Sequence, residues 1–526
     1  MQTKQRVQEL IAEYQRWYRK ADIKETEDVI AVDEVIARVA SFYEKIRGIV
    51  DWREEHLLRK TAIERILKRR MATNNFDEDF AERFLSELVR GGHFPNRRIT
   101  YVKVEEIQRV VEKYLFILQG SPKKEIEEWL FSLAAVEVEE ELSLPLRERA
   151  LINFMTEDLN EGLAINGRKS VQETLSEEAK ILQLFVAVQR AMFKLDNATI
   201  TFHILERFYA DWQNPSQETL EYVRDNVSRL YENIKKILDH PYAEKFYQTA
   251  EKFDTPYLLL HDVISSDPEK FEQLLEQPAV LEEEIRQAYN RRHSRLRGRL
   301  MRAAFYSTIS IFITKILAVL AVEIPVERYF GESINFIAIG LSVSIPALLM
   351  LVLVLSVKTT SRENFERVTI EVMKILQERD EKTTYTMALP KNRSGGVIGL
   401  VYGFYGLTFL LSFGVSVYIL GRLHFPPFSI FVFLMFLSLV LFGGTRIRQR
   451  ARELMIEPEK ENFAQNLLDI FSLPMIQVGR VLSAQIARYN IVLLALNFLI
   501  EVPFQMFVEF LEQWRGFLRE KKEEIH

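Results

Sequence analysis

Through the first 290 residues apolar positions recur three or four apart, the period of a helix with one buried face. Val7, Leu10, Ile11, Tyr14, Trp17 and Tyr18 predict an amphipathic helix at the N-terminus, with no uninterrupted apolar stretch or cleavage site of an export signal. Leu220, Val223, Val227, Leu230, Ile234 and Ile237 predict another, opened by Asn214 as cap and Pro215 at the first helical position. Ser121-Pro122 opens a helix in the same way, and Ser266-Asp267-Pro268-Glu269 joins a proline to a capping box. Phe76, Phe80, Phe84, Leu85 and Leu88 form one apolar face, and Tyr101 to Gln119 a further helix. Alternating strand patterns are scarce, and no fixed-period repeat stands out. The run NEGLAINGRKSVQ (160–172) interrupts the helices with Gly and Asn and predicts a boundary inside this region.

After residue 300 the pattern changes. Ala303–Pro325, Ile334–Val357, Gly396–Leu420 and Phe425–Gly443 each reach the roughly 20 apolar residues that a bilayer core requires. Backbone groups in lipid find no water, so these stretches must be helices. Their flanks order them. Arg291, Arg292, Arg295, Arg297, Arg299 and Arg302 precede the first; the loop from Lys358 to Ser394 holds eight Lys and Arg; Arg446, Arg448, Arg450 and Arg452 follow the fourth. The first short turn carries Glu323, Glu327 and Glu332 against Arg328, and the last short turn only Arg422. Positive charge thus alternates with span number, which predicts two hairpins with both chain ends on the cytoplasmic side. The six arginines before the first span and the four after the fourth are the candidates for contact with lipid headgroups.

The expected architecture is therefore all-α. A cytoplasmic helical domain (1–280) leads through a basic juxtamembrane helix (281–302) to a first transmembrane hairpin (303–357). A cytoplasmic loop with a helix (358–394), a second hairpin (395–444) and a cytoplasmic or interfacial C-terminal region (445–526) follow. Within that last region Asn490, Asn497, Glu501, Gln505, Glu509 and Gln513 fall near one side of an otherwise apolar helix. Two carboxylates and Pro503 are costly in a span, so this segment is expected to lie in the membrane interface.

Charge sharpens the division. The 526 residues carry a net charge of −5. Residues 1–290 hold 41 Lys and Arg against 54 Asp and Glu, a net of −13, and the remainder is net +8. An acidic first half argues against nucleic-acid binding, and a basic second half fits anionic lipid. With no cysteine there is no disulfide framework, thiolate zinc site or cysteine nucleophile.

Candidate chemistry is sparse. There is no phosphate-binding loop, no H-E-x-x-H and no EF-hand loop. His203 with Glu206, His240 with Glu244, and His261 beside Asp262 are His–carboxylate neighbours, but the aromatic setting of His203 points to core packing. No catalytic residue, metal or cofactor is expected. Gly399, Gly403 and Gly406 on the third span allow a close helix approach. Lys315, well inside the first span, must pair, face water or snorkel; Glu501 is its expected partner if the C-terminal helix dips inward.

The segments GGVIGLVYGFYGLTFLLSFG (395–414), PMIQVGRVLS (474–483), FLIEVPFQMFVEFLEQW (498–514) and HPYAEKFYQTAEKFDTPYLLL (240–260) resemble stretches of uncharacterised bacterial multi-pass membrane proteins. The resemblance implies a bacterial inner-membrane location and assigns no activity. The expectation is a membrane-anchored scaffold or assembly protein whose helical domain binds partner proteins or a second copy. The alternative is a subunit of an oligomeric transporter or channel; a membrane enzyme or a signalling module ranks behind both.

Overall fold

The computed structural model describes residues 2–20, 28–32, 34, 55–72, 79–120, 123–166, 176–330, 335–356, 362–376, 385–388, 395–451 and 463–489, and the single positions 506, 510, 514 and 517. The described chain is predominantly helical, with four helices long and apolar enough to cross a membrane. It divides into two compact units. Met1–Pro278, Lys374–Leu389 and Ile500–His526 form the first; Ala279–Met373 and Pro390–Leu499 form the second.

The first unit contains α1 (Gln2–Lys20), α2 (Glu55–Ala72), α3 (Phe80–Arg90), α4 (Tyr101–Leu118), α5 (Lys124–Ser143), α6 (Leu146–Gly162), β1 (Leu163–Asn166), α7 (Glu177–Met192), α8 (Asn197–Phe208), α9 (Gln217–Leu238), α10 (Ala243–Ser266) and α11 (Pro268–Leu275). α5 is its central strut, packed against α2, α4 and α8. Phe80, Phe84, Leu85 and Leu88 of α3 are fully buried in the same core as Val223, Val227 and Ile234 of α9. Each such side chain contributes roughly 1.5–3 kcal/mol. Val7, Leu10, Ile11 and Tyr14 form the buried face of α1, while Tyr18 is exposed.

The caps differ from those expected. α9 starts two residues beyond Pro215, with the Ser216 hydroxyl accepting from the Thr219 N–H. At α11 the cap is Asp267, which accepts from the Lys270 N–H, with Pro268 at the first helical position. In both cases a side-chain oxygen three residues before a free N–H decides the start. Phe76, Ser121 and Pro122 lie outside the described residues. Near the boundary expected at 160–172, α6 runs to Gly162 and the chain turns into β1.

β1 finds its partner far along the chain. It pairs in parallel with β2 (Tyr385–Ala388), in the register Leu163 opposite Tyr385 and Asn166 opposite Ala388. Leu163 and Met387 are buried, and β2 packs beside α10. A segment between the second and third apolar helices is thereby built into the first unit.

The second unit begins with α12 (Pro278–Ala318), followed without a break by a π-helical turn (Val319–Glu323) and α13 (Ile324–Tyr329). These 52 residues extend about 78 Å. α14 (Phe336–Leu355), α15 (Arg362–Leu376), α16 (Gly395–Arg422), α17 (Pro427–Ala451) and α18 (Phe463–Tyr489) complete it. Leu296, Leu300 and Ala304 of α12 pack with Met350 and Val354 of α14 and Val440 and Ile447 of α17. α18 lies along both α16 and α17. Its Met475 is buried with Ala338, Leu420, Phe433 and Leu434.

Candidate intramembrane polar site

Lys315 sits on the part of α12 that is otherwise apolar, with its side chain wholly buried. Its ammonium donates to Glu323 Oε1. The local backbone explains how. Eight residues along a regular α-helix leave two side chains about 80° apart around the axis. The π-helical turn between them rotates less per residue and takes up that offset. Pro325 accounts for the turn: it has no N–H for the carbonyl of Ala321, and its ring crowds that carbonyl.

Glu327 follows Glu323 by four residues, on the same helical face. It is also buried. Ser429, in the first turn of α17, stands between the two: its Oγ lies 2.9 Å from Glu323 Oε2 and 2.5 Å from Glu327 Oε1. The second carboxyl oxygen of Glu327 is buried with no hydrogen-bond partner among the described residues. The ring of Phe436, two turns further into α17, faces the ammonium at 5.1 Å from its centroid. Between Pro427 and Gly444 α17 has no ionisable side chain, and α14 has none. The site therefore confines one ammonium and two carboxyl groups in an apolar surround. Removing one partner of such a buried pair costs roughly 3–5 kcal/mol.

The expected partner of Lys315, Glu501, lies outside the described residues; Glu323, expected in the short turn after the first span, takes that role. The signal was present in the sequence as Lys315, Glu323, Pro325 and Glu327, but a uniform helical wheel puts Lys315 and Glu323 on different faces.

The other predicted positions separate. A Cβ built on Gly399, Gly403 or Gly406 meets no described atom within 4 Å, so no described helix approaches them. The close approach falls instead at Gly479 of α18, where a Cβ would come within 2.0 Å of the Ser438 carbonyl of α17. Of the arginines, Arg291, Arg295, Arg297, Arg299, Arg302 and Arg446 are exposed and Arg292 is half-buried. Arg448 pairs with Asp469 at 3.2 Å. The Arg450 side chain and Arg452 lie outside the described residues.

The first unit carries two buried ionic networks that the sequence reading missed. In one, Glu137 accepts from Lys113 at 2.5 Å and from the Tyr114 hydroxyl at 2.9 Å, while Lys113 also donates to the Trp212 carbonyl. Burial pushes the Glu137 carboxyl up to about 7. In the other, His203 Nε2 faces Glu140 Oε1 at 2.6 Å, and its Nδ1 faces Gln189 Oε1 at 2.5 Å. Arg149 bridges Glu140 and Glu206. Burial alone would raise Glu140, but His203 and Arg149 outweigh it and hold the carboxyl at about 2. His203 is thus locked in a core network, and no group of side chains among the described residues is arranged to hold a metal ion. Both networks cross-brace helices: α4 to α5 in the first, α5 to α6, α7 and α8 in the second.

No protein-family model, curated protein or solved structure matches the chain.

Proposed function

We propose that the protein is a membrane-anchored scaffold whose first unit binds partner proteins or a second copy at the cytoplasmic face of a bacterial inner membrane. The observation that carries this reading is the β1–β2 pairing. It joins a helical domain to the connection between two pairs of apolar helices, so the domain is held by more than one tether. The basic flanks support a cytoplasmic side for that connection and for residues 1–278. The described C-terminal positions Met506, Phe510, Trp514 and Phe517 are helical and exposed, at spacings of four, four and three. Such a stripe supports an amphipathic, membrane-associated helix.

The packing of α18 changes the topology we favour. Asp469 meets Arg448, and ten residues later Gly479 meets Ser438, so α18 runs antiparallel to α17. Ser412, midway along α16, donates to the Phe471 carbonyl at 2.5 Å, next to the carbonyl that Pro474 leaves without its helical donor. These contacts support a fifth membrane-embedded helix in a region expected to stay outside the spans.

Chemical cross-linking in native membranes followed by purification tests the scaffold reading. A stoichiometric partner, or a second copy, that is lost when β1–β2 pairing is broken supports it; a chain that stays monomeric and alone opposes it. The buried Lys315–Glu323–Glu327 site favours one second reading, a transporter or channel subunit. Ion flux into liposomes containing only this protein supports that reading.

A further inference from the structure

We propose that the site around Lys315 is a proton-binding site, with one proton held by Glu327 and Ser429 linking it to Glu323. The inference concerns the chemistry of the site and holds whether the protein is a scaffold or a transporter subunit.

A serine hydroxyl has one hydrogen to donate and two lone pairs to accept with. Ser429 Oγ is within hydrogen-bonding distance of two carboxyl groups, 2.9 Å from Glu323 and 2.5 Å from Glu327. It can donate to one of them only. With both carboxyls ionised, the other contact would set two oxygens against each other with no hydrogen between, in a buried and apolar place. One added proton removes the conflict. Glu327 then donates through Oε1 to Ser429, Ser429 donates to Glu323 Oε2, and Lys315 donates to Glu323 Oε1.

Charge and the unpartnered atom agree with this assignment. Both Glu323 oxygens are engaged, one of them by the ammonium, so Glu323 is the ionised member. Glu327 has one oxygen on Ser429 and the other buried without a partner. A neutral carbonyl oxygen left unpaired costs far less than half of a carboxylate. Among the described residues, the ionisable groups facing the site are Lys315 of α12, Glu323 of the π turn and Glu327 of α13, and α17 contributes Ser429 and Phe436. With one proton the site is neutral, as ammonium, carboxylate and carboxylic acid. Without it the site holds a net negative charge buried in an apolar surround.

The test is infrared spectroscopy of the full-length protein in liposomes, reading the carboxylic-acid C=O stretch and its shift in D2O. Burial pushes Glu137 and Glu139 up to about 7, so the spectrum is taken at a more alkaline pH where they are ionised. The wild type is expected to retain a buried carboxylic-acid band there. Glu327→Gln leaves the Lys315–Glu323 pair balanced and should lose the band with no change in fold. Ser429→Ala should keep the band but shift it, because the acid loses its acceptor. Absence of the band in the wild type, or a band unchanged in Glu327→Gln, overturns the proposal.

Discussion

Gly479 packs directly on the backbone at Ser438: a Cβ there would stand 2.0 Å from the carbonyl oxygen and 2.6 Å from its carbon. Backbone cannot yield as a side chain can, so Gly479→Ala must push α18 away from α17. We expect a loss of about 1–3 kcal/mol, the usual cost of overpacking, seen as a lower melting temperature in detergent. Gly403→Ala, which meets no described atom, should leave the monomer unchanged or gain roughly 0.5–1 kcal/mol from lower unfolded-state entropy. Equal damage from both would show that the Gly403 face is also packed.

What could be read beforehand follows from which forces are local. Helices and spans were legible because burying Phe84 or Val227, or dissolving Val352 in lipid, selects residues by period and length. The glycine that matters was not, because Gly403 and Gly479 look alike until a second helix is placed. β1 was not legible either: LAIN and YTMA are four residues each, and their pairing is settled by where the intervening helices leave them. The intramembrane site was half legible. Lys315 announced itself by cost alone, but its partner depended on a π turn that Pro325 induces.

A crosslink tests the strand pairing. Ala164 lies opposite Thr386 in the parallel register. Paired strands run about 4.8 Å apart, within reach of a disulfide. In a chain without cysteine, Ala164→Cys with Thr386→Cys should form an intrachain disulfide on mild oxidation, visible as a mobility shift on a non-reducing gel. Moving the second cysteine from Thr386 to Met387 should lower the yield, because the side chain then points to the other face of the strand.

The second buried network of the first unit sets an acid limit. Glu140 is held at about 2 in the fold against an ordinary 4.5. A lowered acid favours the folded state above its unfolded value, so this contribution is complete above 4.5 and is lost as pH falls toward 2. The difference is worth about 3 kcal/mol. Glu137 and Glu139, raised to about 7, act with the opposite sign and in another window: they weaken the fold as pH rises from 4.5 through 7. Below 4.5 they are protonated in both states and add no slope. Chemical denaturation between pH 5 and 2 should therefore show steep loss in the wild type. Glu140→Gln should be less stable at pH 5 and should lose stability less steeply across that range.

The side of the membrane reached by α18 is decided by two labels. From Gly479 to Tyr489 the helix rises about 15 Å, and from Ser438 back to Pro427 α17 spans about 16 Å. Because the helices are antiparallel, Tyr489 ends near the level of Pro427, next to His424 in the turn expected outside. Single cysteines can be introduced without background. Tyr489→Cys and His424→Cys should both react with a membrane-impermeant thiol reagent applied to intact cells. Ile525→Cys should react only after permeabilisation, because Ile500–His526 belongs to the same compact unit as the helical domain. That pair of results would require the apolar run that begins at Ile491 to carry the chain back across, giving six crossings rather than four. Labelling of Tyr489→Cys only after permeabilisation would return α18 to the cytoplasmic side and restore the two-hairpin topology. External labelling of Ile525→Cys would instead leave five crossings and separate the C-terminal segment from the unit that holds β1 and β2.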